Sequence, residues 1–404
     1  MAVEIDGPAL LADLDALNSF GTGDAPGINR VAFSEADAAG REYVDQRLRE
    51  LGLAVRRDPL GSTIAELPGA RPELAPIGLG SHTDTVPEGG RFDGALGVVA
   101  AVACARALVL AGEPLQHPLE VLNFVSEEAT MGAGCLGSGA MVQDVHAVLD
   151  AVAWDGRPVR DHLRAAGIDL SRIAEARREP GALAAYLELH IEQGATLWRS
   201  RERLGVVQGI VGIRRYQLEF AGEANHAGTT GMEDRRDALV MASPLVGAVR
   251  EIAIACGVVG TVGTLRVEPG ASNVVPGRVV MECEVRSLEE ARMDEAEGML
   301  GERTTAHGGT LTRSGAKEPV RCDPTLLAPL DDVAGTFGVG VRHLPSGAGH
   351  DAMSMATICP VGMLFVPSER GVSHAPTEHT SPEDCVLGAR ALLAALREVD
   401  RRLG

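Results

Sequence analysis

Residues 75–110 read APIGLGSHTDTVPEGGRFDGALGVVAAVACARALVL, and three textures succeed one another along them. Ala75 to Gly80 is a short apolar run of the kind a buried strand uses. A polar, glycine-rich turn follows, and Gly97 to Leu110 then reads as a buried helix, apolar almost throughout. Leu119 to Val125 resumes the strand texture. A strand, a helix long enough for a crossover and a second strand predict parallel pairing, with helices covering both faces of the sheet.

Outward from this stretch the alternation continues. Ser34 is placed to cap a helix running to about Leu51, and Ala184 to Leu189 reads as another buried strand. From about Gly205 the pattern changes: RYQLEF (215–220) and VMECEV (280–285) alternate as half-exposed strands do, around a helical stretch from about Asp237 to Cys256. After about Arg321 the buried-strand texture returns in VGMLFVP (361–367). A last helix opens at Ser381-Pro382-Glu383, with serine as N-cap and proline in the first turn. The expectation is an α/β chain, with a mostly parallel central sheet covered by helices and built from residues 1–205 and 322–404. A smaller α+β domain, residues 206–321, is inserted into it.

Composition supports a folded, multidomain chain. Its 404 residues exceed one domain of roughly 150, and 45% hydrophobic with 23% charged residues is the balance of a globular protein. Lys plus Arg is 37 against 56 Asp plus Glu, a formal charge of −19 that argues against nucleic acid or an anionic membrane surface as partner. The longest apolar stretch, Gly97 to Ala105, stops at Arg106, so no membrane segment is expected. The N-terminus has acidic residues where a secretory leader carries basic ones. Seven scattered cysteines without a C-x-x-C pair read as reduced core thiols, and the expected location is cytoplasmic.

Four clusters of histidine or carboxylate follow strands of the large sheet, at the strand ends where such sheets collect ligands. In GSHTDTVPEGGRFDG (80–94), His82 and Asp93 are of metal-ligating type, and Asp84 is placed to accept the other ring N–H of His82 and fix its tautomer. In NFVSEEAT (123–130), Glu127 and Glu128 point in different directions, so one can bind metal while the other stands free to take a proton from metal-bound water. LELHIEQG (187–194) supplies His190, and RGVSHAPTEHT (370–380) supplies His374. Each signal alone has an ordinary structural explanation, a core histidine, a solvated glutamate pair or an Asp-Gly turn. Their joint placement on one sheet is what favours a site.

With these clusters in view, the sequence resembles the M20 metallopeptidase superfamily, and within it the hydantoinase/carbamoylase branch, which holds N-carbamoyl-L-amino acid hydrolases, allantoate and ureidoglycolate amidohydrolases and β-ureidopropionases. The motifs GSHTDTVPEGGRFDGALGV, SEE, HIEQG, GEANHAGTT, SNVVPG, EVRS, GAGHDA and GVSHAP occur in family order over nearly the whole chain. The resemblance implies two divalent metal ions, Zn²⁺ first, with Mn²⁺ or Co²⁺ as alternatives. His82, Asp93 and His190 would hold one ion, and Asp93, Glu128 and His374 the other. Glu127 would be the general base.

The resemblance also makes residues 206–321 a dimerisation and lid domain, with hinges near Gly205 and Arg321, and so implies a homodimer. His226 of GEANHAGTT would meet the developing oxyanion, and Asn273 and Arg286, assisted by Gln193, would hold a substrate carboxylate. A histidine at position 190 favours the amidohydrolase branch over the peptidases. One departure stands out: Thr130-Met131-Gly132 occupies a slightly shorter loop where relatives often carry Arg-Phe before the glycine. His350 and Asp351 of GAGHDA also match a family motif and read as site-lining residues without a derivable role. His117, His146, His162, His307, His343 and His379 read as structural or exposed.

The implied reaction is hydrolysis of an N-carbamoyl or ureido C–N bond of a small carboxylic acid. The rivals are an M20 aminoacylase or dipeptidase acting on ordinary amides, and a catalytically silent protein that binds metal or ligand.

Overall fold

The computed structural model describes residues 3–404. It forms two compact units, one made of the chain up to Gln208 together with Cys322–Gly404, the other of Gly209–Arg321. The second is therefore an insertion into the first.

The first unit is built on a mixed sheet whose centre is four parallel strands, β1 (Ile77–His82), β2 (Leu119–Phe124), β3 (Ala185–Ile191) and β4 (Val361–Val366), in the order β2-β1-β3-β4. Every residue of these four strands is buried, as strands covered on both faces must be. The flanks are antiparallel: Thr63–Leu67 pairs with β2, and Leu204–Ile210 pairs with β4. The parallel texture read from the sequence thus describes the centre of the sheet and not its edges.

β1 begins two residues later than its apolar run, because Pro76 has no N–H for the ladder and Ile77 supplies the first bond, to the carbonyl of Pro118. The strand consequently ends on His82, which closes it instead of following it. Helix α1 (Ala95–Ala111) is buried along most of its length between the sheet, the last helix (Pro382–Leu403) and an N-terminal helix, Gly7–Ser19. That N-terminal helix has the signals of its type, a capping Asp6 and Pro8 in its first turn.

Beneath the strand ends lies a buried charge pair. Arg41, on the helix Glu35–Glu50, donates to the carbonyls of Asn123 and Phe124, where β2 runs out, and to the carboxylate of Asp37. Its guanidinium is also 3.9 Å from Asp84, whose two carboxylate oxygens accept the backbone N–H groups of Glu127 and Glu128, each at 3.2 Å. Arg41, Asp37 and Asp84 are all at most 3% exposed.

The second unit is a four-stranded antiparallel sheet in the order Gly309–Lys317, Gly212–Ala221, Arg278–Ser287, Val259–Glu268. Two helices, Ala238–Cys256 and Glu290–Ala306, pack on the face carrying Tyr216, Leu218, Phe220, Met281 and Val285. By length and apolar content Ala238–Cys256 could cross a membrane, although Arg250 and Glu251 interrupt its apolar run. Its Ala242, Leu245, Val249 and Ile252 belong to the core of this unit.

Arg41→Met is expected to destabilise the protein by about 3–5 kcal/mol, because it removes the guanidinium nearest buried Asp37 and Asp84, leaving Arg30 as their remaining counter-charge, and takes a donor from two carbonyls. Urea unfolding measures this, and a loss below about 1 kcal/mol would assign the pair no such role.

Candidate active site

The four parallel strands deliver their carboxyl ends to one place. β1 supplies His82, and the turn that follows carries Asp93 to the start of α1. The turn closes on Gly94, at φ +62°, where a Cβ would lie 2.4 Å from the His82 ring; only glycine fits there. β2 leads through Ser126 to Glu127 and Glu128. β3 carries His190 within the strand and Gln193 just beyond it, and the loop after β4 carries His374. Ser126, Gln193 and His374 all have positive φ, a conformation that costs a non-glycine residue energy and that concentrates at functional sites.

Asp93 is the hub. Its Oδ1 lies 3.2 Å from His190 Nε2 and 3.6 Å from His82 Nε2, while its Oδ2 lies 3.2 Å from His374 Nε2. His374 Nε2 is also 3.3 Å from Glu128 Oε1. The side chains thus form two triads, His82–Asp93–His190 and Asp93–Glu128–His374, each with ligand-type atoms within 4.8 Å of one another and with Asp93 common to both. Gln193 Nε2 donates to Asp93 Oδ2 at 2.6 Å. Glu127 stands beside the first triad, its Oε2 3.8 Å from His82 Nε2 and its Oε1 accepting from the Cys135 thiol at 3.2 Å.

The donor chemistry fits a divalent cation. His82 Nδ1 bonds to the main-chain carbonyl of Asp84 at 3.0 Å, and His190 Nδ1 to that of Ile191 at 2.9 Å. A carbonyl can only accept, so each Nδ1 carries the proton and each Nε2 can present a lone pair to the centre. The tautomer of His82 is therefore fixed by the carbonyl of Asp84 and not by its carboxylate, which is 3.8 Å away and turned to the N–H groups of Glu127 and Glu128. Two backbone donors and Arg41 hold that carboxylate elsewhere.

The electrostatics point the same way. Burial disfavours ionisation of Asp93, but its bonds to His190, His374 and His82 outweigh that and hold it well below the usual carboxylate range. Burial likewise opposes protonation of His82, and the carboxylates of Asp93, Glu127 and Asp84 reverse it, lifting His82 well above its ordinary value. His374, bonded to Asp93 and Glu128, is pushed up to about 11. Glu127 is raised well above the usual range by burial, with Glu128 and Asp351 adding like charge against the pull of His82. Such a cluster of acids draws in positive charge, whether as protons on imidazoles or as metal ions.

The remaining residues divide between the two units. Arg286 and Glu284 share a face of the second sheet, with Arg286 Nε donating to Glu284 Oε1 at 2.7 Å. His226 and Val274 pair in a two-residue ladder, and Ala227 N–H donates to the carbonyl of Asn273, so His226 and Asn273 are neighbours. Nδ1 of His226 accepts the N–H groups of Gly228 and Thr229 at 3.0 and 3.2 Å, which places its ring proton on Nε2. Met131 is buried in a satellite core with Leu60, Val125 and Leu136, so the departure at Thr130-Met131-Gly132 fills core space.

Beneath the site lie Glu188, which sequence reading passed over, and His350 and Asp351 of the GAGHDA motif. Glu188, two residues before His190 on the same strand face, accepts from Ser81 Oγ at 2.9 Å and from the N–H of Ala352 at 3.2 Å; strand alternation in LELHIEQG was the available signal. The ring of His350 lies 4.5 Å from that of His190, and Asp351 accepts from Ser138 Oγ at 2.6 Å. Burial, with Glu188 close by, pushes Asp351 up to about 7. These residues back the site from below.

The model of peptidase family M20/M25/M40 matches residues 78–398. The chain belongs to this family. It is 36% identical over 399 residues to the N-carbamoyl-L-amino acid amidohydrolase of Geobacillus stearothermophilus, covering 96% of this chain and 97% of that one. It is 31% identical to the ureidoglycolate hydrolase of Arabidopsis thaliana, covering 98% and 87%. Among solved structures, an amidase of the hydantoinase/carbamoylase family from Burkholderia multivorans superposes with a TM-score of 0.88 at 33% identity, covering 98% of both chains.

Because a metal takes imidazole without the proton that its carboxylate neighbours favour, binding of a divalent ion at this M20 site is expected to release protons and to tighten as pH rises from about 6 to about 8. Calorimetry in buffers of different ionisation enthalpy counts those protons, and an affinity independent of pH would contradict the upward shift of His82 and His374.

Proposed function

We propose that this M20-family chain is a metal-dependent amidohydrolase that cleaves the C–N bond of an N-carbamoyl or ureido group on a small carboxylic acid. The observation that carries the reading is the pair of triads sharing Asp93, with the carboxylate of Glu127 beside them and in neither. In this reading His82, Asp93 and His190 hold one divalent ion and Asp93, Glu128 and His374 the other. Zn²⁺ is favoured, with Mn²⁺ or Co²⁺ as functional substitutes for a mixed imidazole and carboxylate set. Bound there, the ions would polarise the scissile carbonyl and acidify water.

The chain's own residues supply the proton transfers and the orientation. Glu127 takes a proton from the attacking water and returns it to the leaving nitrogen, a task suited to a carboxylate whose proton affinity burial has raised. Where the group is carbamoyl, the products are the amine, ammonia and carbon dioxide. His226, with its proton on Nε2, is a neutral donor suited to the carbonyl oxygen as charge develops on it. Asn273, Arg286 and Gln193 orient the substrate carboxylate, where the planar guanidinium offers two parallel hydrogen bonds.

Two further features belong to the same reading. A homodimer through the second unit is supported by exposed Val240, Val246 and Ile254 on the helix Ala238–Cys256, and by Val259 and Leu265 on the outer strand of its sheet. A cytoplasmic setting is supported by the cysteines, all buried and, among the described residues, joined by no disulfide.

Exhaustive chelation is expected to abolish ammonia release from N-carbamoyl or ureido acids, and Zn²⁺, Mn²⁺ or Co²⁺ to restore it. In a panel that also contains N-acyl amino acids and dipeptides, turnover confined to the latter would move the chain to the aminoacylases or dipeptidases, and metal binding without any turnover would make it a binding protein. Glu127→Gln is expected to keep its metal while losing about 10²–10⁴-fold in kcat. Metal analysis alongside kinetics decides this, since equal loss of metal would put Glu127 among the ligands.

A further inference from the structure

The motif RGVSHAPTEHT contains one acidic residue, Glu378, to which the proposed reaction assigns no role. It is 3% exposed, and both of its oxygens are engaged. Oε1 accepts the backbone N–H groups of Phe92 at 2.8 Å and Asp93 at 3.0 Å, and Oε2 lies 2.7 Å from Ser373 Oγ. The same Ser373 oxygen lies 2.9 Å from Asp93 Oδ2. One carboxylate therefore grips the main chain of Asp93 and, through a single hydroxyl, touches its side chain.

The packing around this contact is tight. A Cβ on Gly90 would lie 2.1 Å from the carboxyl carbon of Glu378, so the glycine pair of PEGGRFDG lets the loop close onto it. On the other side, Ser373 immediately precedes His374, whose φ of +54° is unfavourable for a residue with a side chain and persists only where neighbours hold it. Within the turn, Glu378 N–H also donates to the carbonyl of Ala375. The Asp93 loop and the His374 turn are 280 residues apart at the Ser373–Asp93 contact, yet they meet at this one carboxylate.

We infer that Glu378 is a positioning residue of the metal centre: it locks the shared ligand Asp93 to the turn that presents His374, and so sets the geometry in which both ions would be held. The inference rests on the two-ion reading above. With three hydrogen bonds on its two oxygens and its carboxylate facing backbone, Glu378 is suited to orienting ligands and not to joining them. Partners of this kind typically change metal affinity about 10–100-fold when removed.

The test uses the full-length protein, stripped of metal and titrated with cobalt(II) chloride, reading affinity and stoichiometry by calorimetry and ligand geometry from the visible absorption of the bound ion. Glu378→Ala is expected to weaken binding about 10–100-fold and to alter the spectrum. Glu378→Gln should restore both to near the wild-type values, because its carbonyl still accepts the two N–H groups and its amide can donate to Ser373. Thermal unfolding of the metal-free proteins separates this role from simple support of the loop, which would lower that stability and leave affinity and spectrum unchanged. Should Glu378→Ala fail to fold, Ser373→Ala decides, with weakened cobalt binding expected. Wild-type affinity and spectrum in the alanine variants would overturn the role of Glu378 alone; a wild-type protein that takes up no cobalt would overturn the two-ion reading itself.

Discussion

Three imidazoles converge on the carboxylate of Asp93, and the rest of the catalytic unit is arranged so that this convergence is possible. Burying several acids together is unfavourable unless positive charge accompanies them. Here Asp93, Glu127 and Glu128 lie within one cluster, and in the metal-free chain their field favours a proton on the imidazoles of His82, His190 and His374. The same need explains the hydrogen bonds behind the ligands. Carbonyls of Asp84 and Ile191 orient two rings, the carboxylate of Asp84 orients the Glu127-Glu128 turn, and Arg41 neutralises Asp84 from beneath. A site that gathers this much negative charge must stop that charge from unfolding it.

Division of labour between the two glutamates follows from where the backbone turns. Ser126, at φ +56°, bends the chain after β2, so that Glu128 reaches His374 while Glu127 stays beside His82. Adjacent residues of identical type thereby occupy different surroundings. Glu128 is tied down by an imidazole, whereas Glu127 meets a thiol, and burial raises the proton affinity of both. Pairs of titratable groups separated in this way are how one site comes to hold a ligand and an acid–base group side by side.

The parts of this arrangement that could be read from the sequence are those that repeat a local pattern. Apolar runs gave β1 to β4 and α1 to within two residues, and the histidine and carboxylate clusters were visible because each follows such a run. Residues acting through the backbone left no such trace. Arg41 looks like any exposed helix charge until the helix is docked, Glu378 is one acid in a polar loop, and the carbonyl of Asp84 does what its carboxylate was expected to do. The flanking strands Thr63–Leu67 and Leu204–Ile210 run antiparallel for reasons of connection and not of composition, so texture alone could not orient them. The roles proposed for His226, Asn273 and Arg286 rest on family resemblance only, since each is an ordinary exposed or half-exposed residue in its own strand or turn.

The insertion that divides the catalytic unit also dictates the order in which it is completed during synthesis. β3 is made well before β4, its parallel neighbour, and the whole of Gly209–Arg321 leaves the ribosome in between. Until Val361–Val366 arrives, one edge of β3 has no pairing strand from the far side of the insertion, and His374 has not yet emerged. The nascent chain thus carries an open apolar edge for more than a hundred residues of elongation, and the cluster around Asp93 is among the last features to form.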